Sequence, residues 1–381
     1  MSPPSHPRWG RPIRSYSNLF NADRCALSVD SEIAGLQAMQ KISRLATEGY
    51  TSAPEDLELD IDISTLESAV RLTLDSTTIR HLANPPVISG CIRLMKGVNR
   101  QRTGAASPFS YEYGYLCFKL LAATLNVCLL ERWNELEELL ASTDKRSPGV
   151  AHILTLMRLS DGVLNQFLIL VDGGNCDEAL GWSDVAVHHR REPLLSQSNI
   201  STLLDLLWDD RKLFLQALSR GDPAECGLSG LLFYLSRYVA RERDFQQNQE
   251  WKSLNTQVYE LALRYLLVAH QTQREATLLV TNVTTCSNRW PKTAKHLDEG
   301  DSRLIATEFI KLMSNPENSE FLMGRGPSVL LRFVPHTIDR HALGVLPAVM
   351  ECVIRSGWLQ MIDADNEEGI EPFIHLFFGP L

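Results

Sequence analysis

Residues 113–130 read YGYLCFKLLAATLNVCLL, an apolar run of 18 residues. A helix of this length could cross a lipid bilayer. Lys119 and Asn126 interrupt the run, however, and a charge near the middle of a bilayer is costly. A helix that is buried on most sides inside a large helical protein has the same pattern. We therefore expect a buried helix and no membrane partner, with a membrane-associated helical protein as the alternative.

The segments on either side of this run carry apolar residues at helical spacing. Four of those in segment 31–48 share one helix face: Ile33, Leu36, Ile42 and Leu45. Ser64 and Glu67 have the spacing of a capping box, which predicts a helix through about Leu74. The same periodicity predicts further helices over 86–98, 107–130, 148–172, 201–219, 222–239, 250–270, 273–285, 302–313 and 338–356. Pro347 should kink or split the last of them.

Strand patterns are scarce. The stretch EDLELDIDI (55–63) alternates as a strand does, but its acidic residues are poor strand formers, so we expect a solvated loop. The chain has 381 residues, of which 44% are hydrophobic and 22% charged, as in an average soluble globular protein. We therefore predict an all-α fold, built as a helical array or solenoid of paired antiparallel helices.

The sequence divides into three parts. Residues 1–27 are rich in Pro, Ser and Arg and predict a disordered tail, since repeated prolines oppose a helix. Residues 28–356 form the helical-repeat body, and the polar, charged stretch 174–200 is a possible loop or boundary within it. Residues 357–381 form a C-terminal segment.

Two segments resemble helices of known repeat proteins. LLDLLWDDRKLFLQAL (203–218) and PPVISGCIRLMKGV (85–98) are similar to helices of armadillo- and HEAT-like repeat proteins, including uncharacterised fungal proteins with such folds. The resemblance extends over the helical body from about residue 30 to 356. It implies a binding surface rather than an active site, and these families share no catalytic residues that could be carried over.

A basic region stands out in a chain whose net charge is −9. Residues 76–111 contain no acid, and Arg93, Lys96 and Arg100 share a helical face by spacing. Together with Arg102 they form the predicted partner-binding residues, suited to an acidic peptide or a phosphate. The alternative is a solvated helix face. We expect no nucleic-acid partner, because the chain as a whole is acidic and no aromatic residue is interleaved with these charges before Phe109.

The eight cysteines are scattered, and no two have C-x-x-C spacing. We therefore expect no zinc site, and a reducing compartment, cytoplasmic or nuclear. Mitochondrial import is the alternative, since Arg8, Arg11 and Arg14 precede the first acid, Asp23.

Motifs for catalysis and metal binding are missing. No phosphate-binding glycine loop, H-E-x-x-H or G-x-S-x-G occurs. Asp209 and Asp210 begin a D-D-x-x-D pattern that Leu213 breaks, and two acidic loops, 60–71 and 363–374, lack the glycine and terminal acid of a calcium site. We expect no cofactor, metal or small-molecule substrate.

The predicted function is a non-enzymatic protein–protein interaction scaffold or adaptor that uses a helical-repeat surface. One enzymatic alternative stays open: an all-α enzyme whose site is assembled from dispersed residues, for example Asp209, Asp210, His188 and Arg241. A deep pocket lined by converging titratable groups would favour the enzyme, and a shallow groove would favour the scaffold.

Overall fold

The computed structural model describes most of the chain and leaves several segments out. The described residues are 5–16, 27–47, 60–100, 107–141, 148–182, 192–220, 227–245, 250–269, 273, 275, 299–315, 330, 333–334 and 337–362. They contain thirteen α-helices: α1 Val29–Thr47, α2 Ile63–Arg71, α3 Pro85–Arg100, α4 Glu112–Trp133, α5 Leu136–Ala141, α6 Pro148–Gly173, α7 Cys176–Leu180, α8 Gln197–Asp209, α9 Arg211–Arg220, α10 Ser229–Phe245, α11 Glu250–Leu266, α12 Glu299–Ser314 and α13 Leu346–Ile362.

Short 3-10 helices accompany them at Ile13–Ser15, Leu72–Leu74, Ile79–Leu82, Pro108–Ser110 and Arg340–Val345. No strand is present in the parts of the chain described above, and the prediction of an all-α fold is confirmed there. The chain forms two compact units, Met1–Trp251 and Lys252–Leu381. The possible boundary near 174–200 therefore falls inside the first unit.

Local sequence explains where several helices begin and end. The Asp62 side chain caps α2 by accepting a hydrogen bond from the Thr65 backbone N–H. The cap is thus Asp62, two residues before the Ser64 that the capping-box spacing suggested. Asn134 ends α4 in the left-handed conformation, with φ of 61°. Pro347 lies in the first turn of α13, directly after the 3-10 helix 340–345, so the helix predicted over 338–356 is split as expected.

Helix α4 is the centre of the first unit. It packs against α2, α3, α5, α6 and α10. It is long and apolar enough to cross a membrane, but every residue of its most apolar 18-residue window is buried inside the protein. Lys119 and Asn126 are buried with the rest of the helix. The apolar run is therefore a core helix enclosed by other helices.

Asn126 holds α4 to the beginning of α10. Its side-chain amide donates to the Gly227 carbonyl at 2.9 Å, and its amide oxygen accepts from the Gly230 N–H at 2.9 Å. Beside this contact, the buried hydroxyls of Ser160 and Ser229 lie 2.7 Å apart. Since a buried polar group is costly unless it is hydrogen-bonded, these pairs fix α4, α6 and α10 in one register.

Residues 5–16, which we call the N-terminal strap, pack onto the first unit. The side chains of Trp9, Ile13 and Tyr16 are buried. The 3-10 helix Ile13–Ser15 contacts α9, and Pro12 bridges to Tyr111. The structure therefore differs from the predicted disordered tail of residues 1–27 in this part, because apolar anchors and a long-range ion pair outweigh the local effect of the prolines.

The second unit contains α12 and α13, which pack on each other and on the 3-10 helix Arg340–Val345. The Ser302 hydroxyl donates to the Thr337 carbonyl at 2.7 Å and accepts from the Asp339 N–H at 3.0 Å. Most of the helix predicted over 273–285, and the C-terminal segment from 363, lie outside the described residues.

Three cysteines of the first unit should be chemically inert. Cys91, Cys117 and Cys128 are buried, and burial raises the pKa of each thiol, to about 12 for Cys128. Since the thiolate is the reactive form, we expect less than about a tenth of each to be alkylated by iodoacetamide at pH 8 in the native protein. Mass spectrometry of native and urea-unfolded samples measures this, and equal labelling in both would contradict it.

Candidate partner-binding face

One strip of α3 stays accessible, while the other side chains that the structure describes in this helix are buried. The accessible positions are Pro85, Pro86, Ser89, Arg93 and Lys96, which recur at the three- and four-residue spacing of a helix face. The structure thus places Arg93 and Lys96 on the same face. Arg100 ends the helix in the same register, but its side chain and the whole of Arg102 lie outside the described residues.

Arg93 also has a structural role. Its guanidinium donates to the Leu45 carbonyl at 2.8 Å, in the last turn of α1. The last carbonyls of a helix have no partner within it, and a cation there interacts favourably with the helix dipole. Arg93 therefore joins α3 to the end of α1, where the exposed Arg44 adds a further positive charge.

Lys96 is exposed and lies near acidic residues of α8. Its positive charge lowers the pKa of Asp205, although burial and the neighbouring carboxylate of Asp209 raise that pKa overall. Helix α8 packs beside α3, and the Asn199 amide donates to the Ser89 hydroxyl at 2.9 Å. Lys96 therefore lies beside Asp205, which in turn neighbours Asp209, so the charge of this region is mixed rather than uniformly basic.

The residues named for an enzymatic site have separate partners. The buried Asp210 carboxylate accepts from the Phe109 N–H at 3.4 Å, and Asp210 joins α8 to α9. The buried Arg241 donates to the Trp182 carbonyl at 2.6 Å and pairs with Asp177 at 3.2 Å. Asp209 is exposed, and His188 lies outside the described residues. The contacts of Asp210 and Arg241 hold backbone segments in place.

Arg237 and Arg241 of α10 both reach Asp177 of α7. Two nitrogens of Arg237 contact the two carboxylate oxygens at 2.6 and 2.9 Å. Burial opposes ionisation of Asp177, but the hydrogen bonds and positive charges of the arginines lower its pKa below the usual value. Sequence reasoning missed this pair, because the partners are 60 residues apart and no local pattern joins them.

A buried charge cluster lies in the second unit. The Arg264 guanidinium contacts Asp301 through two hydrogen bonds of 2.8 Å and Glu260 through bonds of 3.1 and 3.2 Å, and all three side chains are fully buried. Burial works to lower the pKa of Arg264, but its hydrogen bonds and the two carboxylate charges raise it overall, so the guanidinium is charged. Tyr265, the next residue, donates its hydroxyl to Glu275 at 2.8 Å.

No metal centre is found among the residues that the structure describes. Among those residues, no group of three or more His, Cys, Asp or Glu side chains could hold an ion. Of the two acidic loops considered for calcium, Asp62 is instead engaged as the cap of α2, and residues 363–374 lie outside the described ranges.

Comparisons of the chain with protein-family models, with curated proteins and with solved structures found no match. Support for the candidate site therefore comes only from the positions and contacts of residues in this chain.

Proposed function

We propose that the protein is a non-enzymatic scaffold or adaptor that binds a protein partner on the face formed by Arg93, Lys96, Arg100 and Arg102. The observation that carries the proposal is the accessible strip of α3, where Arg93 and Lys96 lie in a helix whose other described side chains are mostly buried. A strip held between α1 and α8 is rigid, and rigid presentation of polar groups lowers the entropic cost of binding.

The partner that fits this face is a protein segment with mixed charge and an excess of acid. Lys96 and Arg93 would pair with its carboxylates, while Asp205 and Asp209 of α8 repel purely acidic ligands and favour a nearby basic residue. Such alternation gives selectivity, because a partner with the wrong charge order meets like charges. The proposed site of action is the cytoplasm or nucleus.

The proposal includes the structural form suggested by the resemblance, an armadillo- or HEAT-like arrangement of paired helices. A short connection supports it: α4 and α5 are joined by Asn134 and Glu135 alone. Pairs of this kind are the building blocks of helical arrays. Helix α4 also contacts α10, which lies far along the chain. In a strictly one-dimensional array each repeat contacts only its neighbours, so this contact goes beyond such an array.

Charge reversal tests this face. We expect Lys96→Glu combined with Arg100→Glu to reduce partner recovery about tenfold, since two lost attractions and two new repulsions together amount to about 1.4 kcal/mol. Arg93 is left unchanged because it also holds the end of α1. The measurement is affinity purification from the native cell with quantitative mass spectrometry, using the wild-type and variant chains as bait.

The matched control is Arg220→Glu, which reverses an exposed charge at the end of α9. Its partner recovery should equal that of the wild-type chain, and the melting temperatures of all three proteins should agree within about 2 °C, since exposed charges contribute little to stability. Equal recovery with the Lys96/Arg100 variant would remove this face from consideration. A small molecule retained by the purified chain, with no protein partner, would favour an enzyme instead.

A further inference from the structure

Helix α13 carries apolar residues on two sides. On one side Val349, Cys352 and Val353 are buried, and the Cys352 sulfur lies 3.7 Å from the Ser314 hydroxyl of α12. The other side is accessible and is nonetheless apolar, both in α13 and in the 3-10 helix that leads into it. Its apolar residues, which we call the α13 stripe, are Leu343, Pro347, Met350 and Ile354.

The α13 stripe has the spacing of a helix–helix contact. Its members follow one another by four, three and four residues, the repeat that keeps side chains on one face of a helix. Leu343 is 57% exposed, Met350 38% and Ile354 55%. A contiguous apolar patch on the surface of a protein marks an interaction site when it exceeds what single scattered residues expose. The stripe therefore indicates a surface that another helix covers.

Two opposite charges lie along one edge of the α13 stripe. Glu351 directly follows Met350, Arg355 directly follows Ile354, and both charged side chains are exposed. A glutamate and an arginine four residues apart can pair within a helix. In the described part of α13 these two form no ion pair with each other. Both charges are therefore available to a second helix that packs on the stripe.

We propose that the α13 stripe is a dimer interface, on which α13 of a second copy of this chain packs in the antiparallel direction. In this direction Met350 of each copy lies opposite Ile354 of the other. The same register places Glu351 of each copy opposite Arg355 of the other, because each charge directly follows one of the two apolar residues. A parallel arrangement would place like charges opposite each other. The surface is thus complementary to itself, as a two-fold dimer requires.

A second exposed apolar group lacks this self-complementarity. Val29, Ile33 and Leu36 of α1 have the same helical spacing and are 71%, 48% and 39% exposed. The residues that directly follow the first and last of them are Asp30 and Gln37, which are not opposite charges. Charge complementarity therefore distinguishes α13 from α1, and α1 supplies a matched control. The dimer does not depend on the partner-binding face of α3.

Sedimentation of the wild-type full-length chain tests the dimer directly. We expect a monomer–dimer equilibrium by analytical ultracentrifugation between nanomolar and high micromolar concentrations. Ile354→Asp should raise the dissociation constant about tenfold or more, since each copy would bring a charge into an apolar contact. Ile33→Asp, the same substitution on the stripe of α1, should leave the dissociation constant within about twofold of the wild-type value.

Charge variants test the antiparallel register against the wild-type dimer. Glu351→Arg places arginines opposite each other and should raise the dissociation constant about fivefold, the size of effect expected for exposed pairs. The double variant Glu351→Arg/Arg355→Glu restores opposite charges and should return the dissociation constant to the wild-type value. Both residues are exposed, so these variants keep the test decisive if Ile354→Asp does not fold.

The proposal is overturned if the wild-type chain is a monomer at every concentration. A lower melting temperature of a monomeric Ile354→Asp chain would then show that residues of the same chain cover the stripe, and an unchanged melting temperature would leave the stripe to a different protein. A wild-type dimer that Ile354→Asp does not weaken would also overturn the proposal, because the interface would lie elsewhere. Failure of the double charge variant to restore the dimer would exclude the antiparallel register.

Discussion

Replacing Arg264 by methionine will lower the free energy of unfolding of the second unit by about 3–5 kcal/mol. Arg264 lies between the fully buried carboxylates of Glu260 and Asp301 and contacts both. Methionine is shorter and has no charge, so two buried carboxylates would lose the guanidinium that contacts both of them. Urea denaturation followed by circular dichroism measures the loss as a lower urea midpoint for the unfolding of this unit.

Matched variants separate charge from packing at this cluster. Arg264→Lys keeps the charge but loses the planar, two-armed hydrogen bonding to Asp301, so we expect an intermediate loss of about 1–2 kcal/mol. The triple change Glu260→Met, Arg264→Met and Asp301→Leu should recover most of the stability, because the three charges that contact one another are then removed together. A single Arg264→Met variant as stable as the wild-type chain would contradict the argument.

Gly114→Ala will destabilise the first unit by about 3 kcal/mol, the upper end for overpacking a core. Gly114 lies in the first turn of α4, and a Cβ there would collide with the carbonyl group of Pro108. Backbone atoms of a neighbouring turn move less readily than a side chain, so the start of α4 would have to shift away from the 3-10 helix Pro108–Ser110. The urea midpoint for the unfolding of the first unit should fall accordingly.

Gly173→Ala is the matched control for this substitution. Gly173 ends α6, and a Cβ there would make only an ordinary contact of 3.6 Å with the Asn175 side chain. Alanine also has the higher helix propensity, so the expected change is a small gain or none. Equal destabilisation by the two alanines would show that steric closeness at Pro108 is not the cause.

Much of the helical fold could be predicted from sequence. The run at 113–130 is apolar on all sides, which only a helix enclosed by others tolerates, and α4 is such a helix. Likewise, the helix predicted over 86–98 corresponds to α3, and Pro347 lies where the predicted C-terminal helix is split. The polar groups that order the core could not be predicted, since Asn126 meets Gly227 and Gly230 only after α4 and α10 have packed.

Only part of the candidate partner-binding face could be predicted from the sequence. Helical spacing places Arg93 and Lys96 on one side of α3, as the structure has them. Asp205 lies beside Lys96 because α8 packs next to α3. Local sequence patterns do not predict which distant helix packs there. The strap was missed for the same reason, because Arg11 pairs with Glu112 across 101 residues while its own neighbourhood is rich in proline.

The enclosure of α4 has a consequence for how the protein is made in the cell. A ribosome completes α4 at Trp133, but α10, one of the helices that covers it, ends only at Phe245. At about 5–20 residues per second, the side of α4 that α10 covers therefore stays uncovered for roughly 5–20 s after α4 is complete. Exposed apolar surface of this kind promotes aggregation, so the nascent chain is most vulnerable in the interval before α10 packs onto α4.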